Sequence, residues 1–204
     1  MHRLILIRHA QSEHHVRGLT GGWTDTPLTP LGRAQARALA GHCGRALAAE
    51  RDLCLCSSDL RRAAETAAYL AAALGVACRP EPALRELDNG AAAGLTRDEA
   101  GRLERPRTEP TLDWVPYPGA ESWRAMTARV FAGLARLDRA CPATAVVVTH
   151  GDAGVAVIQW WLRLGARCRR GISFELDPAS VTELAVNGWR ERTIVRLNDT
   201  SWRA

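Results

Sequence analysis

The chain has 204 residues, 47% of them apolar and 24% charged, the balance of an ordinary soluble globule long enough to bury a full core. Its formal charge of +5 rests on 27 basic residues that are all arginine, so Schiff-base chemistry and the Walker phosphate loop, which need a lysine, are excluded. The arginines are spread along the chain rather than gathered into a stripe, which argues against a nucleic-acid partner and for attraction of a small anion.

The apolar run at residues 4–7 predicts a short buried strand ending in Arg8-His9. It is too short for a signal-peptide core, and no later run could span a bilayer, so no membrane partner and a cytoplasmic location are expected. A loop rich in Gly, Thr and His covers residues 9–28. Thr29-Pro30 then supplies an N-cap and a first-turn proline for a helix to about Glu50. Residues 53–56 read as a second strand, and Ser57-Ser58-Asp59 offers a cap for the next helix, with Leu60, Ala64, Ala67, Ala71 and Leu74 as its apolar stripe and Gly75 as its stop. Residues 76–78 predict a brief third strand.

From Leu84 to Ser122, Gly, Pro and charge break the pattern, so a small cap is expected, inserted at about 95–122 in a single domain spanning 1–204. Trp123, Thr127, Val130, Leu134 and Leu137 mark an amphipathic helix. Residues 145–148 read as a strand buried on both faces, ending in Thr149-His150-Gly151. Val155, Ile158 and Leu162 mark a helix closing at Gly165, and short strands follow near 172–176, 181–186 and 194–197. This alternation predicts an α/β fold with a mostly parallel sheet. The six cysteines lack Cys-x-x-Cys or finger spacing and read as free thiols.

Three strands therefore end in chemically useful residues, and in a parallel sheet those ends share one edge. A neutral imidazole can attack phosphorus while guanidinium forks hold the phosphoryl oxygens. Arg62, in the first turn of its helix, can meet a phosphate that the positive helix end also attracts. Glu86 is the carboxylate candidate, because an ester oxygen leaving as an alkoxide needs a proton. Singly, each of these residues reads as a solvated surface group.

Together, and in this order, they resemble the histidine phosphatase superfamily, the phosphoglycerate-mutase-like group. The matching stretches are Arg8-His9-Ala10, Trp23-Thr24-Asp25 with Leu28-Thr29-Pro30-Leu31-Gly32, Ser57 with Arg62-Ala63 and Thr66, Glu86 with Gly90, Gly94 and Leu95, Pro118-Gly119-Ala120-Glu121-Ser122, and His150-Gly151. The resemblance implies a three-layer αβα fold, His9 as the nucleophile that becomes phosphorylated, Glu86 as proton donor, and Arg8, Arg62 and His150 around the phosphoryl group. Gly90 and Gly94 look like turn glycines that bring the Glu86 loop close. Two positions depart from the family pattern: Ala10 stands where glycine is usual, and His15 where an asparagine helps hold phosphate. An imidazole can donate to phosphate too, but it is bulkier and can carry charge. His14-His15 with His9 alternatively suggest a metal site, though no carboxylate cluster accompanies them.

The expected activity is hydrolysis of a small phosphorylated metabolite through a phosphohistidine, with no metal and no cofactor. Phosphoglycerate-mutase-type transfer is the alternative, disfavoured by the short 96–117 segment and the missing lysine; a non-catalytic phosphate-binding module is another. Arg97, Arg102, Arg105 and Arg107 in the cap either grip an anionic substrate or belong to a charge-balanced loop. Trp114 and Tyr117 offer a flat apolar wall, or simply fill the underside of the cap. A homodimer is left open.

Overall fold

The computed structural model describes residues 1–141, 143–169 and 171–203. Strands β1 (Arg3–Arg8), β2 (Leu53–Ser57), β3 (Cys78–Pro80), β4 (Thr144–Thr149), β5 (Val181–Val186) and β6 (Arg192–Asp199) form one sheet in the order β3-β2-β4-β1-β5-β6. The pairs β1–β4, β2–β4 and β2–β3 are parallel, while β5 and β6 complete the other edge antiparallel. Between them lie α1 (Glu13–Val16), α2 (Pro30–Ala46), α3 (Arg61–Leu74), α4 (Arg97–Gly101), α5 (Trp123–Ala140), α6 (Gly151–Trp161) and α7 (Ala166–Arg169).

Side-chain alternation along the central strands builds the layers. Leu4, Leu6, Ala145 and Val147 pack with Met126, Val130 and Leu134 of α5 and Ala153 and Val157 of α6. Ile5, Ile7, Val146 and Val148 point the other way, against Ala36 and Leu39 of α2 and Ala63, Ala67 and Leu70 of α3. The result is an αβα sandwich whose central β4 is buried at every position, as its unbroken apolar run requires.

Register carries the chemistry to one edge. Arg8 pairs with Thr149 and Ser57 with Val148, so β1, β4 and β2 end side by side. His9 N–H donates to Thr149 O and Ser58 N–H to Val148 O, both at 2.9 Å, carrying the ladder one residue past each strand.

Several local expectations need correction. The Thr29 cap holds, its hydroxyl accepting Gly32 N–H, but α2 ends at Ala46 with Leu47 as its C-cap, short of Glu50. The stripe assigned to α3 is rotated: Arg62, Ala63, Thr66, Ala67 and Leu70 are buried, whereas Ala64 is exposed and Ala71 and Leu74 are half-buried. Alanine occurs on every side of this helix, so hydropathy could not fix its face. Leu60 is the α3 N-cap; Ser58 Oγ accepts Leu60 N–H and Asp25 Oδ1, from the long loop, accepts Arg61 N–H. β3 begins at Cys78, and residues 172–176 form no strand. Cys54 and Cys141 are joined in a disulfide, their Cα atoms 6.1 Å apart across 87 residues of sequence, while Cys43, Cys56, Cys78 and Cys168 are free. Spacing could not reveal that pair, because only packing of the α5 end against β2 brings the two together.

The stretch from β3 to α5 holds α4 and the 3₁₀ turns Pro82–Leu84, Gly90–Ala92 and Thr111–Asp113. Gly90 adopts φ 49°, and a Cβ there would stand 2.4 Å from both Pro118 O and Ala120 N. Only glycine permits this approach, which ties the loop after Glu86 to the segment before α5.

Candidate active site

The ends of β1 and β4 and the start of α3 bring together four of the residues singled out from sequence. His9 and His150 have ring centroids 5.0 Å apart, and Arg62 Nε donates to His9 Nε2 at 3.1 Å. Arg62 also donates to Thr24 O and Gly22 O, both at 2.7 Å, which leaves each terminal nitrogen with one N–H to spare. Arg8 donates to Leu176 O, and its Nη2 stands 3.4 Å from His15 Nε2. Arg8 Nε and His150 Nδ1 are buried polar atoms with no acceptor among the described residues. Such groups are costly to leave unpaired, and the oxygens of a tetrahedral anion would satisfy them.

The tautomers follow from these contacts. His9 Nδ1 lies 2.7 Å from Ala10 O and so carries the proton, leaving the lone pair on Nε2. Burial first, and the charge of Arg62 second, hold the His9 and His150 imidazoles well below their ordinary pKa of 6.5, so both are neutral at pH 7. Burial likewise lowers Arg62, to about 10. Ser58 Oγ accepts Leu60 N–H and contacts His150 Nε2 at 2.8 Å; where the hydroxyl donates to the ring, His150 Nδ1 carries the hydrogen. Ser58 was absent from the sequence reading as a site residue; it was seen only as a helix cap.

Glu86 reaches the same place from the cap side. Its Oε1 accepts Leu87 N–H and Ala153 N–H, and its Oε2 accepts Asp152 N–H, which sets the carboxylate on the first turn of α6. A Cβ at Gly151 would stand 3.6 Å from Glu86 Oε2 and 3.7 Å from Arg8 Cζ, ordinary contact distances that place both groups against the start of α6. Behind the loop, Arg129 of α5 donates to Ala83 O, Arg85 O and Glu86 O, and is gripped by both oxygens of Glu121. The Trp23 indole N–H also donates to Glu86 O, at 2.7 Å. Arg129 carries no motif signature, and the role of Glu121 within its motif emerges only from this clamp.

A cleft of about 510 Å³ opens here, lined by Arg8, His14, His15, Glu86, Asn89 and Asp152 among others. His9, Arg62 and His150 do not line it; they stand behind its wall, each 2% exposed or less. His15 stacks on His9 at 5.5 Å and links floor to cleft. Of the four cap arginines, Arg97 lines the cleft, whereas Arg102, Arg105 and Arg107 do not. Asp152 was also missed from sequence. Desolvation, with the Glu86 charge second, pushes its carboxyl up to about 7, although its surface is exposed to the open cleft.

His9, His14 and His15 bring ring nitrogens within 4.8 Å of one another, the spacing a metal ion would ask for. Their donor chemistry opposes it. His15 Nδ1 accepts Ser12 N–H at 3.1 Å, so its Nε2, the nitrogen nearest Arg8, carries a proton. The two neighbouring guanidiniums add positive charge, and the cluster has no carboxylate to offset it.

A protein from Hydrogenobacter thermophilus called "Putative phosphoserine phosphatase 2" is 31% identical over 97% of this chain and 96% of its own length. A "2,3-bisphosphoglycerate-dependent phosphoglycerate mutase" from Methylobacterium sp. is 37% identical over 76% of this chain and 78% of its own. Among solved structures, a mycobacterial glucosyl-3-phosphoglycerate phosphatase complexed with VO3 superposes with a TM-score of 0.78 at 28% identity, covering 98% of this chain and 100% of that one. The model of the histidine phosphatase superfamily (branch 1) matches residues 4–200, and with sequence, fold and strand-end geometry in agreement, the chain belongs to that family.

Proposed function

We propose that His9 takes the phosphoryl group of a small phosphomonoester and that water then takes it from His9. The chain is a phosphoric monoester hydrolase, the activity shared by the phosphatases it resembles; the residue roles are our reading. The observation that carries them is the neutral His9 imidazole, its Nε2 lone pair held only by Arg62 Nε, beside two donors that lack acceptors.

In the first step Arg62 exchanges His9 Nε2 for a phosphoryl oxygen. Nε2 then attacks phosphorus in line, the Nε2–P bond forms, and the P–O bond to the alcohol breaks. Glu86 passes its proton to the leaving oxygen. Arg8, Arg62, His150 and His15 hold the three equatorial oxygens, and positioning with charge stabilisation supplies most of the rate. In the second step the Glu86 carboxylate takes a proton from water as its oxygen attacks phosphorus, and the P–N bond breaks to free His9 and phosphate. Four fixed donors do what a cation would do for the phosphoryl oxygens, and we expect the reaction to need no metal.

Water rather than a second substrate is the acceptor in this reading, because Arg97 is the one cap cation lining the cleft among the described residues. We treat residues 1–204 as one domain in which the 95–122 segment selects the alcohol. No helix among the described residues is long and apolar enough to cross a membrane. We place the enzyme in the cytoplasm, where phosphorylated metabolites are held by their charge; Cys54 and Cys141 would there face reducing conditions.

The test is turnover of an aryl phosphate with and without a chelator, alongside acid-labile labelling of the protein. Activity is expected to survive the chelator, and both turnover and label to vanish in His9→Ala. Strict dependence on an added divalent metal would overturn the reading.

A further inference from the structure

A second cavity, about 480 Å³, adjoins the cleft and shares Leu87 and Ser173 with it. Its other walls include Leu112, Trp114, Pro116, Trp123 and Ile172. Two of its polar side chains are already committed, Glu121 to Arg129 in two hydrogen bonds and the Thr111 hydroxyl to Glu109, while Arg169 lies over the Phe131 ring at 5.2 Å and its Nε, like the Trp123 indole nitrogen, has no hydrogen-bond partner among the described residues. Trp114 is fixed in place, its indole N–H donating to Arg105 O at 3.2 Å and its ring covered by the Arg107 guanidinium at 5.2 Å. A pinned indole beside an exposed Ile172 keeps an apolar slot open where collapse would have buried both.

The slot lies on the path the alcohol must take. In the reading above the leaving oxygen sits at Glu86, so the carbon skeleton departs from phosphorus past that residue, and Leu87, its neighbour in sequence, is one of the two walls common to both cavities. We propose that the preferred substrates are phosphomonoesters whose alcohol carries a flat apolar group such as an aromatic ring, seated between Leu87, Leu112, Trp114 and Ile172. This rests on the phosphatase reading above and narrows its substrate class. A small polyol or amino-acid phosphate would leave those apolar walls wet. The size of the slot suits a ring with a short linker, within the ordinary range for small-molecule sites.

The experiment compares 3-phenylpropyl phosphate with ethyl phosphate and phosphoserine, three esters of unactivated alcohols. The wild type is expected to favour the phenylpropyl ester by about tenfold or more in kcat/KM, mostly through KM, as apolar pockets discriminate. Trp114→Ala and Ile172→Asp should each collapse that ratio. In the wild type, phenylpropyl phosphonate should inhibit more tightly than methylphosphonate, a readout that needs no variant to fold. A ratio within about threefold, a preference for phosphoserine, or a ratio untouched by both substitutions overturns the proposal while leaving the phosphatase reading intact. Failure to hydrolyse any of the three esters overturns both.

Discussion

His15 Nδ1 accepts the backbone N–H of Ser12 at 3.1 Å, and that single bond decides what this residue can do in place of the asparagine usual in the family. With Nδ1 occupied as an acceptor, the neutral ring must carry its proton on Nε2, 3.4 Å from Arg8 Nη2. Two donors facing each other at that distance leave room for one shared acceptor, and a phosphoryl oxygen fits. Burial, with Arg8 next, lowers the His15 pKa to about 4, so the ring acts as a neutral donor at pH 7. His15→Asn should therefore keep phosphate inhibition within about threefold, while His15→Phe, which loses the donor, should weaken it roughly 10- to 100-fold. The inhibition constant of inorganic phosphate measures both, and equal weakening in the two variants would show that Nε2 has no such part.

Ser58 fixes His150 in the same manner. Its hydroxyl accepts Leu60 N–H and contacts His150 Nε2 at 2.8 Å, and by donating to that nitrogen it would keep the proton on Nδ1, the buried atom without a partner among the described residues. Ser58→Ala is expected to lower kcat/KM by about tenfold, with Ser58→Thr restoring most of it. Because the role is positional, the pH–rate profile of the alanine variant should also shift on its acidic side. A uniform loss with an unchanged profile would indicate a packing effect alone.

The convergence of the candidate residues was legible because the apolar runs that make strands also end where those residues stand. Leu4 to Ile7 delivers His9, and the valine strand delivers His150. What stayed hidden lies in contacts between distant segments. Ser58 reads as a cap until β2 and β4 are aligned, Arg129 reads as one arginine among many until α5 packs behind Glu86, and Cys141 has no visible partner until α5 meets β2. The α3 face failed for a different reason, since a buried Arg62 and Thr66 are invisible to a hydropathy pattern.

Arg129 holds three carbonyls of the 83–86 segment and both oxygens of Glu121, so it sets where Glu86 stands without touching the cleft. Arg129→Met removes the charge but keeps much of the bulk, and should destabilise the fold by roughly 2–4 kcal/mol, the cost of leaving several partly buried partners unpaired. A larger drop is expected in kcat than in any change of KM, because Glu86, the proposed proton donor, loses its position while the proposed phosphoryl pocket does not. Urea unfolding and steady-state kinetics separate the two effects. Arg129→Lys cannot span the same fork and should not rescue.

The four imidazoles around the site make stability depend on pH with a defined sign. His9 and His150 are held well below 6.5, His14 near 3 and His15 near 4, in each case through burial first, so the unfolded chain binds protons that the folded chain refuses. For groups with depressed pKa the stability is fully present above the unfolded value and is lost as pH falls below it, here from 6.5 downward. The urea midpoint should accordingly fall between pH 7.5 and pH 5, before the acid-side loss from ion-paired carboxylates such as Asp59 sets in. Inorganic phosphate should reduce the fall, since an anion in the pocket favours the protonated rings. His14→Gln removes one of these groups and should flatten the slope. A midpoint constant across that range in the wild type would mean the rings accept protons in the folded state and are not desolvated as described.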